Sequence, residues 1–105
     1  MKIKLDALIE NIGVEAGLVF NTDGVLLEFQ QLEYPGNIAA MSGVLLTMCK
    51  ELLEDLKYGV TNELILQGEK GLFFVKKLKN DEYLGLFTKD PSKLGLIHLK
   101  MQNSL

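Results

Sequence analysis

The stretch Asn37 to Leu56, "NIAAMSGVLLTMCKELLEDL", is patterned for a helix, yet its apolar positions do not form a single stripe. At about 100° per residue, Ile38, Met41, Leu45, Met48, Cys49, Leu52 and Leu56 fill the centre of an apolar arc, Val44 widens it on one side, and Leu53, Leu46 and Ala39 widen it on the other. The arc spans about 220°, roughly twice what packing on one core surface requires. Something besides the chain's own core is therefore expected to cover part of it. Pro35 and Gly36 precede the helix, Asn37 is its expected N-cap, and Lys57 and Gly59 stand where a helix end would place them.

The rest of the chain divides into short patterned segments with turn residues between them. Residues 4 to 12 space Leu5, Leu8, Ile9 and Ile12 as one face of a short helix ended by Gly13. Next, "VEAGLVFN" alternates two sets that both lack charge between Ala16 and Phe20, the pattern of a strand covered on both faces. Asp23-Gly24 then predicts a tight hairpin into "VLLEFQ". After the long helix, residues 60–67, 72–78 and 82–87 read as three strands joined by the short connectors "GEKG" and "KND", hence an antiparallel meander. Asp90 and Pro91 open a last helix with Leu94, Ile97, His98 and Met101 at i, i+3, i+4 and i+7, while Leu96 and Leu99 fall opposite this stripe, as a second contact surface or packed beside the first helix. Central strands that are apolar on both faces need helices on both sides, so the expected architecture is a single-domain three-layer α/β/α sandwich over residues 1–105.

The chemistry on offer is sparse. The 105 residues carry a net charge of -3, and all eleven cations are Lys, which argues against nucleic acid as a partner and leaves the chain without an arginine finger or guanidinium clamp. One cysteine, Cys49, cannot form an internal disulfide and reads as a buried reduced thiol, in keeping with a cytoplasmic setting. No window approaches the ~18 apolar residues of a membrane span, so no membrane insertion is expected. His98 is the single histidine and reads as a packing or surface residue, and no Cys and His cluster suggests a metal or a cofactor. Gly68-Glu69-Lys70-Gly71 lies between two strands and is a hairpin turn, since a phosphate loop would lead into a helix. Lys76, Lys77 and Lys79 read as a solubilising patch, and Glu51, Glu54 and Asp55 as a solvated face or an acidic docking patch.

In order and separation, "GVEAGLVFNTDGVLLE", "ELILQGEKGLFFVKKL" and "LGLIHLKM" resemble the roadblock/dynein light-chain family over nearly the whole chain. The resemblance implies a five-stranded antiparallel sheet of order 2-1-5-4-3, with the long helix on one face and the two terminal helices on the other. It also implies a homodimer formed by pairing third strands, with the long helices side by side, acting as a non-catalytic platform for a small Ras-like GTPase or another signalling or motility partner. The dimer surface is then expected at Val60, Asn62, Leu64, Ile65 and Leu66 on the strand and at Ala40, Gly43, Val44 and Thr47 on the helix, with the partner met by Leu46, Lys50, Glu51 and Glu54. An unpaired third strand at a sheet edge would itself be an aggregation hazard, which a second copy would remove. Gly43 marks either a close approach by a neighbour or a tolerated exposed position, because glycine within a helix costs ~1 kcal/mol relative to alanine. A small-molecule sensor is the alternative function, and a small enzyme ranks last because nucleophile-base and metal constellations are absent.

Overall fold

The computed structural model describes residues 4–104. Helix α1 (Leu5–Ile12) is followed by strands β1 (Ala16–Asn21) and β2 (Leu26–Gln30), helix α2 (Pro35–Asp55), strands β3 (Glu63–Gly68), β4 (Gly71–Lys77) and β5 (Glu82–Thr88), a 3-10 turn (Pro91–Lys93) and helix α3 (Leu94–Ser104). The five strands form one antiparallel sheet of order β2-β1-β5-β4-β3, the order expected from the family resemblance.

Two boundaries differ from the sequence reading. Helix α2 begins at Pro35 rather than after Asn37, with Tyr34 at the cap position and no side-chain cap. Proline suits the first helical position because its φ is already helical and it has no N–H to leave unpaired, so a polar cap at Asn37 is unnecessary. Strand β3 starts at Glu63 rather than at residue 60, leaving Val60 to Asn62 as connector, although Lys77 N still donates to Asn62 O at 2.9 Å. Elsewhere local chemistry acts as expected. Gly13 closes α1 at φ 87°, donating its N–H to Ile9 O, and Asp90 accepts from Ser92 N to start the 3-10 turn.

Two cores lie on opposite faces of the sheet. Under α1 and α3, Leu5, Ile12, Phe74, Leu84, Leu86, Ile97 and Met101 are buried together. Beneath α2 the core is Leu18, Phe20, Ala39, Leu46, Val75 and Tyr83. Strand β1 feeds both cores, with Val19 on one face and Leu18 and Phe20 on the other, which explains its uncharged double pattern. Its pairing with β2 shifts register between Val19 and Phe20, where β2 bulges. Strand β3 pairs with β4 in unbroken register from Glu63 with Lys76 to Gly68 with Gly71.

Candidate interaction surface

Helix α2 presents its smallest residues to its own chain. Ala39, Ser42, Gly43 and Leu46 are its buried positions, whereas Met41, Val44, Met48 and Leu52 are 65%, 63%, 62% and 59% exposed. At about 100° per residue the exposed set forms a stripe roughly 165° around the helix from the sheet-facing set, nearly opposite it. The two apolar sectors inferred from the sequence are both present: the open one takes the Val44 side of the arc, next to exposed Ala40 and Thr47, and the buried one takes the Leu46 and Ala39 side. The reason is a close approach. A Cβ on Gly43 would stand 2.7 Å from Gly24 N, 2.8 Å from Gly24 Cα and 3.1 Å from Thr22 O, so the β1–β2 hairpin turn occupies the space beside it. Gly24, at φ 79°, faces the Ala40 backbone in turn.

That contact corrects two assignments. Gly43 is buried against its own hairpin, so its lack of a side chain is explained without a second chain, and it leaves the expected dimer surface. Leu46 is 1% exposed within the core beneath α2, so it cannot meet a partner at the surface. Ala40 and Thr47 are exposed and lie between Gly43 and Val44 around the helix, and the Thr47 hydroxyl donates to Gly43 O. Of the four helix positions expected at the dimer surface, Ala40, Val44 and Thr47 are exposed, and only Gly43 is buried. Sequence reasoning passed over Met41, Met48 and Leu52 as contact residues; the signal available was the run Ser42-Gly43, whose small size marks the side where backbone packs on backbone. Past the helix end, Leu56, Tyr58 and Val60 are also exposed, extending the apolar surface toward β3.

Strand β3 lies at one border of the sheet and its residues are exposed, apart from half-buried Leu64, which packs toward the core beneath α2. Ile65 and Leu66 are 37% and 43% open. Glu63, at its start, accepts from His98 Nε2 at 2.9 Å and lies 3.5 Å from Lys76 Nζ. Burial pushes the Glu63 carboxyl up, but the hydrogen bond and charge of His98, with Lys76, outweigh that and hold it below its ordinary value. His98 also sets its ring edge-on against Phe74, 5.1 Å between centroids, and thus ties α3 to the border of the sheet. Lys50, Glu51 and Glu54 are exposed on α2, and Cys49 is half-buried rather than fully enclosed. On the opposite face Leu96 and Leu99 stand open on α3, so the first helix does not enclose them.

Among the described residues no helix is long and apolar enough to cross a membrane, and no three of His, Cys, Asp and Glu gather as they would around a metal ion. No family model matches the sequence, and no curated protein does. Solved structures match throughout. MglB of Myxococcus xanthus superposes with a TM-score of 0.86 at 14% identity, over 95% of this chain and 84% of that one. The gliding protein MglB of Thermus thermophilus gives 0.84 at 17% identity over 95% and 78%, and the Roadblock/LC7 domain of Streptomyces avermitilis gives 0.76 at 15% over 94% and 89%. The chain has the roadblock fold. Within that fold the open side of α2 and the border strand β3 are joined along the chain by residues 56–60, of which Leu56, Tyr58 and Val60 are exposed.

Proposed function

We propose that this chain is a non-catalytic scaffold or regulatory module that forms a homodimer and binds a small Ras-like GTPase or a related signalling or motility partner. The observation that carries this reading is the exposed stripe Met41, Val44, Met48 and Leu52 beside an unpaired β3. Each of these side chains is about three-fifths open, so covering the remainder is worth about 1–2 kcal/mol apiece, on the scale of 1.5–3 kcal/mol for burying a whole large apolar side chain. A second copy related by a twofold axis covers both stripes and satisfies both β3 borders, with Val60, Asn62, Leu64, Ile65, Leu66, Ala40, Val44 and Thr47 at the contact. The exposed Lys50, Glu51 and Glu54 then rim the paired helices, where a GTPase would dock. The gliding protein of Thermus thermophilus among the structural neighbours is consistent with a motility partner.

The chemistry limits what such a module does to its partner. Without arginine it supplies no finger, so any stimulation of hydrolysis works by repositioning the GTPase's own groups. Light scattering on the purified chain is expected to give the mass of a dimer, and Met48→Glu, at the middle of the stripe, a monomer with an unchanged circular dichroism spectrum. A wild-type monomer at micromolar concentration would refute the dimer. Titration with a panel of nucleotide-loaded Ras-like GTPases tests the partner directly, and binding is expected to fall with Met48→Glu.

A further inference from the structure

At one end of the sheet, on the face that carries α2, a groove of about 690 Å³ opens between the segment entering α2 and the β3–β4 hairpin. Its volume falls within the roughly 300–1,000 Å³ common to small-molecule sites. Its apolar lining includes Leu32, Leu66, Phe73 and Phe87. The two phenyl rings stack nearly parallel, 4.4 Å between centroids and 8° between planes, and both are half-buried, so part of the aromatic surface remains open. That open aromatic surface is apolar and suits a ring or a branched hydrocarbon.

The polar side of the groove is cationic. Register pairs Leu72 with Thr88, which brings Lys70 and Lys89 together at the same end of β4 and β5. Both belong to the groove lining, both are exposed, and neither ammonium group has a hydrogen bond or ion pair among the described residues. The carboxylate beside them is already engaged, because Glu15 Oε1 accepts from Thr88 Oγ1 at 3.2 Å and from Lys89 N at 3.1 Å. Two cations without a partner among the described residues thus border the apolar floor at the same end of the sheet. An anion with an apolar body answers both features.

We propose that this groove binds a small carboxylate with an aromatic or branched apolar body, its body against Phe73 and Phe87 and its carboxylate between Lys70 and Lys89. None of the α2 stripe residues lines the site, but Leu66 of β3 does, so the groove borders the proposed dimer contact and the inference rests in part on how that contact forms. The assay is an NMR amide titration of the full chain with 2-naphthoate, and with 2-naphthalenemethanol as the uncharged counterpart. The expected result is saturable one-site binding of naphthoate, with shifts centred on Leu66, Gly68, Gly71 and Thr88 and clearly weaker binding of the alcohol. Replacing both cations, Lys70→Ser with Lys89→Ser, should weaken naphthoate roughly three- to tenfold, the scale of two exposed charge contacts. Equal affinity for acid and alcohol, unchanged affinity in the double variant, or shifts centred on the α2 stripe would overturn the site. So would naphthoate binding that vanishes as protein concentration rises, since a second copy would then be the groove's occupant. Light scattering on the same samples keeps failure here distinct from failure of the dimer.

Discussion

Adding one methyl group at Gly43 sets two opposed terms against each other. In a solvated helix, alanine in place of glycine gains ~1 kcal/mol from backbone entropy. Here the new Cβ meets Gly24 N at 2.7 Å, Gly24 Cα at 2.8 Å and Thr22 O at 3.1 Å, all backbone atoms that cannot swing aside as a side chain would. The turn is also pinned from within, because Asn21 Oδ1 accepts from both Asp23 N and Val25 N at 3.0 Å. Overpacking of this kind costs about 1–3 kcal/mol, and three backbone atoms of one turn within 3.1 Å place it at the upper end. Gly43→Ala is therefore expected to lose about 1–2 kcal/mol net, lowering Tm by roughly 4–10 °C in a domain of this size. Thermal and urea unfolding by circular dichroism, at fixed protein concentration, would measure it. Gly95→Ala is the control: nothing lies within 4 Å of its Cβ position in α3, so it should gain stability. A Gly43→Ala protein that is as stable as wild type, or more so, would refute the packing reasoning. Loss of the dimer at full stability would show that the glycine serves a second chain after all.

Leu46→Ala removes a side chain 1% exposed in the core beneath α2 and is expected to cost about 2–5 kcal/mol in urea unfolding, whereas Val44→Ala should leave the stability of a monomeric variant within about 0.5 kcal/mol. Asn21→Ala leaves two turn N–H groups without their acceptor and should cost about 1–2 kcal/mol, read by the same assay. Three carboxyls titrate below their ordinary values. For Glu15 and Glu63, burial pulls upward and is outweighed, at Glu15 by Thr88 and the Lys89 amide and at Glu63 by His98; for Asp90, hydrogen bonds from Ser92 lead. Each binds its proton more weakly folded than unfolded, so its stabilising effect is fully present above the unfolded value, 4.5 for the glutamates and 3.8 for Asp90, and is lost as pH falls through the lower folded value. Urea midpoints measured from pH 6 to pH 3 should fall less steeply in Glu63→Gln than in wild type.

The fold was legible because its signals are local. Gly13, Asp23-Gly24 and the Asp90-Pro91 start mark turns and ends by backbone chemistry, and uncharged β1 announced a strand between two cores. The orientation of α2 was not legible in the same way. Hydrophobicity spreads over the whole arc and does not say which flank meets the sheet; the hairpin turn decides it, coming so near that only Gly43 fits beside it. Distance of approach is a tertiary quantity, set by a turn some twenty residues away in sequence. The groove under Lys70 and Lys89 was hidden for a similar reason: the two lysines are made neighbours by the pairing of β4 with β5, and nothing near either one in sequence hints at the other.

The two borders of the sheet differ, and the difference bears on how many molecules can join. Strand β3 is regular along its length, whereas β2 is kinked by its bulge and carries Glu28 at its middle. If two chains zip together at β3, each outer rim of the resulting ribbon is a β2, bent out of line and charged, and a third molecule finds no template there. Assembly by this route stops at a pair. A sequence change that straightened β2 would remove the terminator, and the same chain would then be able to grow end to end into a fibre.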